Sequence, residues 1–221
     1  MSQRQRMLMS DELLETYVRE YIAAVDTPEV SFTWQGGEPT LAGLPFFKKT
    51  VQLQKRYGKG RQISNSLQTN GILLDDDWCR FLADNRFLVG LSLDGPRRMH
   101  DRYRLDRGGR PTFNKVMKSL ERMQRHRVEF NLLACINRTT ARHPAEVYRF
   151  FREIGGRFIQ FVPVVEQVVE PPGEGGKTAI TPWSVDPQGY GSFQRGVFDE
   201  WVRNDVGQIY VMNFEWTLAG L

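Results

Sequence analysis

Strand-like and helix-like stretches alternate along most of this 221-residue chain, and that alternation restricts it to an α/β fold with a parallel sheet. Runs rich in β-branched, aromatic or aliphatic residues fall at 30–34, 62–68, 87–93, 128–136 and 158–162. Between them lie helical patterns at 45–57, 75–85, 112–126 and 144–154, with a leading one at 11–25 whose Leu13, Leu14, Val18, Tyr21 and Ile22 mark one face. Ser10 sits where an N-cap would, followed by Asp11 and Glu12 in the first turn. The strands recur at spacings of roughly 25 to 40 residues, the signature of repeated βα units. Five such units make an open or partial barrel. Residues 163–191 are rich in Pro, Gly and polar side chains and read as a long loop, followed by a helix at 193–202 and a short strand at 208–211.

The composition, 40% hydrophobic and 25% charged, is that of an ordinary globular domain, long enough to bury a core. No apolar run approaches a membrane span and no charged-then-apolar leader is present, so the expectation is a cytoplasmic location with no membrane partner. A net charge of +4 is weakly basic. Much of the excess lies in Arg97, Arg98, Arg102, Arg104, Arg107 and Arg110, which read as a solvated or anion-facing loop. No groove-reading motif accompanies them, and nucleic acid is not expected as a partner. The chain has two cysteines, Cys79 and Cys135. Both read as small buried residues. They do not supply an iron–sulfur site, and no metal ligands are assigned. Asp75-Asp76-Asp77 stands at a helix start, where capping explains it.

The chemistry is expected where the first strand ends. Ser31-Phe32-Thr33-Trp34 runs into Gln35-Gly36-Gly37-Glu38-Pro39-Thr40-Leu41. Paired glycines let a ligand approach the backbone, and Pro39 holds Glu38 extended. The carbonyls and carboxylate left at this corner suit an ammonium group. No lysine follows the glycines, as a phosphate loop would require.

This string resembles the S-adenosylmethionine-binding corner of the radical S-adenosylmethionine enzymes, and more narrowly that of the anaerobic sulfatase-maturating enzymes. Three further segments resemble that family in the same order: Asn65-Ser66-Leu67-Gln68-Thr69-Asn70-Gly71, Val89-Gly90-Leu91-Ser92-Leu93-Asp94-Gly95-Pro96 and Thr140-Ala141-Arg142-His143. The likeness is best over 28–165, with 166–221 read as a loop excursion and the start of a following segment. The resemblance implies an incomplete radical-SAM partial (βα)6 barrel with about five of its units present. It also implies S-adenosylmethionine as cofactor, with Gly36, Gly37, Glu38, Ser92, Arg104 and Val165 as cofactor-binding positions. Gly37 would meet the methionyl ammonium and Arg104 the carboxylate. Gln35, Gln68, Asn70 and Asp94 fall at strand ends, where a β/α barrel places its site, and would make a polar, substrate-facing interior. Ser64-Asn65-Ser66 is read the same way.

The implied reaction turns an active-site Cys or Ser of a sulfatase polypeptide into Cα-formylglycine. A reduced 4Fe–4S cluster cleaves the cofactor, a hydrogen leaves the β-carbon, and a carboxylate takes the proton. Glu215 is the candidate acceptor, with Asp94 next. The family's Cys-x-x-x-Cys-x-x-Cys cluster motif does not occur in this sequence. Two readings therefore stand side by side: a portion of a sulfatase-maturating oxidoreductase, or a catalytically inactive remnant that binds sulfatase peptide or S-adenosylmethionine.

Overall fold

The computed structural model describes residues 8–168 and 179–220, so part of the long loop, 169–178, lies outside the described residues. The fold is α/β. Its strands are β1 (Glu29–Trp34), β2 (Gln62–Thr69), β3 (Phe87–Ser92), β4 (Glu129–Ile136), β5 (Phe158–Pro163), a short antiparallel pair β6 (Gln167–Val168) and β7 (Ala179–Ile180), and β8 (Tyr210–Val211). Six of them form one parallel, unclosed sheet in the order β1-β2-β3-β4-β5-β8, the architecture of a partial barrel. The two-residue β8 stands where the sequence places a short strand at 208–211. The chain divides into two compact units, one holding residues 8–90 and 118–129 and the other the remaining described residues.

In the first unit, α1 (Asp11–Ala24) begins at Ser10, whose Oγ accepts from Leu13 N. Strand β1 alternates: Val30, Phe32 and Trp34 are buried, while Ser31 and Thr33 face the other way. Strand β2 pairs with it in parallel, setting Ser31 opposite Ser64 and Thr33 opposite Ser66. Their hydroxyls meet, Ser31 Oγ to Ser64 Oγ at 2.8 Å and Ser66 Oγ to Thr33 Oγ1 at 3.1 Å. Asn65 points to the opposite, buried face. Its Oδ1 accepts from Trp34 Nε1 and from Gln54 Nε2, both at 2.9 Å, and its Nδ2 donates to Gln54 Oε1. The triplet 64–66 is thus not one polar surface, because successive strand residues face opposite sides. Asn65 belongs to the core under α2 (Leu44–Tyr57). There Phe47 packs edge-on against Trp34, Trp78 and Phe87. Each such buried aromatic contributes on the order of 1.5–3 kcal/mol. Helix α3 (Asp76–Asp84) starts at Asp75, which accepts from Trp78 N, as capping predicts. Asp76 holds His126 Nε2 at 2.6 Å and also Arg125, joining the start of α3 to the end of α5 (Phe113–Arg125).

In the second unit β4 lies parallel to β5, with Leu132 opposite Ile159 and Cys135 opposite Val162. The buried face of β5 meets α6 (Pro144–Glu153) and α7 (Pro187–Asn204) through the rings Phe151, Phe161 and Phe193. At the end of β8 the Asn213 side chain continues the pairing: its Oδ1 accepts from Phe161 N and its Nδ2 donates to Phe161 O. This fixes the start of α8 (Met212–Ala219).

Two stretches differ from the sequence reading. The arginine-rich stretch contains α4 (Arg97–Tyr103), with Met99 and His100 turned inward. Its arginines are largely engaged: Arg97 with Asn114, Arg98 with Glu146, Arg104 with Asp94 and Arg110 with Asp106. Arg102 bonds the Tyr103 hydroxyl. Arg97, Arg98, Arg102, Arg107 and Arg110 are nonetheless exposed, as a solvated stretch would be, and Arg104 alone turns inward. Helix α7 also starts earlier than expected, because Asp186 accepts from Gly189 N at 2.7 Å and Pro187 occupies the first turn.

Candidate cofactor-binding site

In the first unit the strand-end corner is built around Glu38. Its Oε1 accepts from Thr40 N at 3.0 Å, Thr40 Oγ1 at 2.6 Å and Thr69 Oγ1 at 2.7 Å, and its Oε2 accepts from Asn70 N at 2.8 Å. One carboxylate thereby joins the C-terminal ends of β1 and β2. Gly36 and Gly37 precede it at φ +114° and +56°, conformations that side chains disfavour. Both are exposed, and an added Cβ on either would meet nothing within 4 Å. No hydrogen bond to another described residue engages their backbone. The corner is a braced, open ledge of bare peptide, the shape that admits a small charged ligand. Gln35 beside it is exposed.

Gln68 and Asn70 leave β2 at the same end. The Gln68 amide lies across the bare backbone of Gly90, so closely that a Cβ there would fall 2.0 Å from its Oε1. Asn70 Oδ1 accepts from Ile72 N, which closes the turn after the strand.

In the second unit Ser92 ends β3 and is half-buried. Two residues on, the Asp94 side chain is only 4% exposed and forms a two-pronged pair with Arg104: Nε to Oδ2 at 2.7 Å and Nη2 to Oδ1 at 2.9 Å. Asp94 Oδ1 also accepts from Cys135 N at 2.9 Å. Arg104 Nη2 further touches Cys135 Sγ at 3.5 Å, while Nη1 has no partner among the described residues. Arg104 is thus distinct from its solvent-facing neighbours. Asp94, read as part of a polar interior, has both oxygens engaged by this pair.

His100, buried on α4, supports the cluster. Its Nδ1 accepts from Asp94 N at 3.3 Å, which puts the ring hydrogen on Nε2, facing Thr112 Oγ1 at 3.0 Å. Thr112 in turn donates to Arg104 O at 2.6 Å. Burial pushes the His100 pKa down to about 4, so the ring is neutral near pH 7. Sequence reasoning missed His100, Thr112 and Thr69. The signal for Thr69 is its place inside Gln68-Thr69-Asn70-Gly71. For His100 it is the Gly95-Pro96 reversal, which returns the chain toward Asp94.

The other two positions carry less structure. Val165 follows β5 and is 61% exposed. Glu215 lies in the first turn of α8, half-buried, with no hydrogen-bond or ion-pair partner among the described residues. Asn213 holds the backbone two residues before it.

The cysteines do not fit a 4Fe–4S cluster. Cys79 is fully buried in the first unit, and burial pushes its thiol up to about 11. Cys135 belongs to the second unit, half-buried, its thiol also raised by burial. Cluster ligands are thiolates, and these are two protonated thiols. Among the described residues no group of three or more His, Cys, Asp and Glu is placed to hold a metal.

The radical SAM superfamily model matches residues 2–151, and the chain belongs to that superfamily. It is 44% identical over 220 residues to a serine-type anaerobic sulfatase-maturating enzyme of Bacteroides thetaiotaomicron, covering 96% of this chain and 53% of that protein. It is 43% identical over 195 residues to a cysteine-type anaerobic sulfatase-maturating enzyme of Clostridium perfringens, covering 88% of this chain and 51% of that one. The chain therefore spans about half the length of these curated relatives. Among solved structures it is similar to native anSMEcpe with bound AdoMet and Kp18Cys peptide, at TM-score 0.86 and 39% identity, covering 94% of this chain and 56% of that one. Streptococcus suis SuiB, at TM-score 0.61 and 17% identity, shares the fold.

Proposed function

We propose that the whole of residues 1–221 is core-domain sequence of a sulfatase-maturating radical S-adenosylmethionine oxidoreductase, with 28–165 its best-matched part. In this reading the enzyme acts in the cytoplasm on a Cys or Ser of a sulfatase polypeptide and leaves Cα-formylglycine. The observation that carries it is the 44% identity to a sulfatase-maturating enzyme along 96% of this chain. The open ledge at Gly36 and Gly37 and the Nη1 edge of Arg104 support S-adenosylmethionine as ligand, offering bare peptide for the ammonium and a cation for the carboxylate. Ser92 and the exposed Val165 would complete the cofactor set. Gln35, Gln68 and Asn70 would face the substrate, and Glu215 would accept its proton. When bound, S-adenosylmethionine supplies the hydrogen-abstracting chemistry, and the protein positions and shields the reacting groups.

A second reading rests on Cys79 and Cys135, two protonated thiols in separate units. It makes this polypeptide a module that binds cofactor or sulfatase peptide without catalysis. Equilibrium dialysis of the chain against labelled S-adenosylmethionine tests what the two readings share. The parent is expected to bind. Gly37→Val is expected to abolish binding, because a branched side chain at φ +56° both strains the turn and occupies the ledge. Equal affinity in parent and variant would reduce the corner to a turn.

A further inference from the structure

We propose that Asp94 is a positioning residue: it locks the Arg104 guanidinium so that its one free edge, Nη1, faces the carboxylate of an α-amino-acid-bearing ligand. The proposal rests on the reading of Arg104 as a cofactor contact. An arginine side chain has many rotamers, and ordering one on binding costs affinity. Here that ordering is already done. The guanidinium is held at Nε and Nη2 by the two oxygens of Asp94. The backbone of the same residue is held at both ends, Arg104 N donating to His100 O and Arg104 O accepting from Thr112 Oγ1. Asp94 is itself fixed, because its N–H donates to His100 Nδ1 and its Oδ1 accepts from Cys135 N.

The arrangement uses two of the guanidinium's three nitrogens for support and leaves the third free. A planar, oriented donor of that kind discriminates for carboxylate.

The test compares S-adenosylmethionine with its decarboxylated analogue, which keeps the sulfonium and ammonium and lacks the carboxylate. Dissociation constants are measured for the parent, Asp94→Asn, Arg104→Ala and the double variant. Asp94→Asn is close to isosteric and retains an oxygen for Cys135 N. It is expected to weaken S-adenosylmethionine about tenfold while leaving the analogue unchanged, and to have no further effect once Arg104 is removed. Equal losses for both ligands would mean that Asp94 is merely structural, and unchanged affinities would mean that Arg104 needs no positioning. Either result overturns the proposal alone. A parent that does not prefer the carboxylate-bearing ligand overturns the reading of Arg104 and the proposal with it. If Asp94→Asn melts below the assay temperature, Thr112→Val probes the same geometry by releasing the Arg104 carbonyl. It is expected to show the same selective loss, and its failure to do so would count equally against the idea.

Discussion

Glu215 combines an ionisable side chain with no partner among the described residues and a backbone anchored two residues earlier by Asn213. A carboxylate in that state keeps its lone pairs free and its position defined, which are the two requirements of a proton acceptor. Asp94 is held in position but fails the first requirement, because its oxygens are occupied by Arg104 and Cys135 N. Glu215→Gln, assayed with the chain joined to the segments its longer relatives carry, is expected to lower formylglycine formation by about 10²–10⁴-fold. Affinity for S-adenosylmethionine should be retained, because the substitution changes the proposed acceptor and not the glycine ledge. Quantifying modified sulfatase peptide by mass spectrometry, with the cofactor dissociation constant measured in parallel, separates the two. An unchanged yield would return Glu215 to a helix-start glutamate.

Helix α4 shows how an element is held by one buried polar side chain. His100 is fully buried and bonds both the backbone after β3 and the Thr112 hydroxyl before α5, so α4 is pinned at its centre. Its pKa is lowered from the usual 6.5 to about 4, with burial as the main cause. Above pH 6.5 the ring is neutral in folded and unfolded chains alike, and its titration contributes nothing. As pH falls toward 4 only the unfolded chain takes up the proton, so stability declines by about 3 kcal/mol and then levels off. Urea unfolding of parent and His100→Gln between pH 7 and 4 should show the parent's advantage shrinking by that amount. Parallel curves would contradict it. The same helix marks where sequence reading fails. Seven residues with only Met99 and His100 buried carry too little apolar periodicity to stand out among arginines. The start of α7 was hidden in a similar way, since Gly189 and Gly191 dilute the pattern although Asp186-Pro187 is a sound cap. Strands β1 to β5 were legible because β-branched and aromatic runs recur between amphipathic helices. Asn65 was misplaced because its polar neighbours concealed the alternation of faces. The glycine corner was legible as a string. The Asp94–Arg104 pair was not, because nothing in the spacing of two charges ten positions apart specifies a shared hydrogen-bond geometry.

At the scale of the whole molecule, the two thiols among the described residues form no site for a 4Fe–4S cluster. A 4Fe–4S cluster is bound through thiolates grouped in one site. This chain offers Cys79, sealed in the first unit with its thiol raised to about 11, and Cys135 in the second. Neutral pH lies about four units below that value, so deprotonating Cys79 there costs on the order of 5 kcal/mol before any metal bond forms. Anaerobic reconstitution of the 221-residue chain with iron and sulfide is therefore expected to leave it without a stoichiometric cluster. Iron and sulfide analysis should give far less than one cluster per chain, EPR after reduction should lack a cubane signal, and Cys79→Ser with Cys135→Ser should change neither result. The ledge proposed for the cofactor is made of backbone braced by Glu38 and not of thiols, so dialysis should still detect S-adenosylmethionine binding in the same preparation. A stoichiometric cluster lost in the double serine variant would show that the two thiols reach a common iron site. A stoichiometric cluster that survives the double variant would instead implicate ligands other than cysteine, in a chain whose described residues show no such grouping.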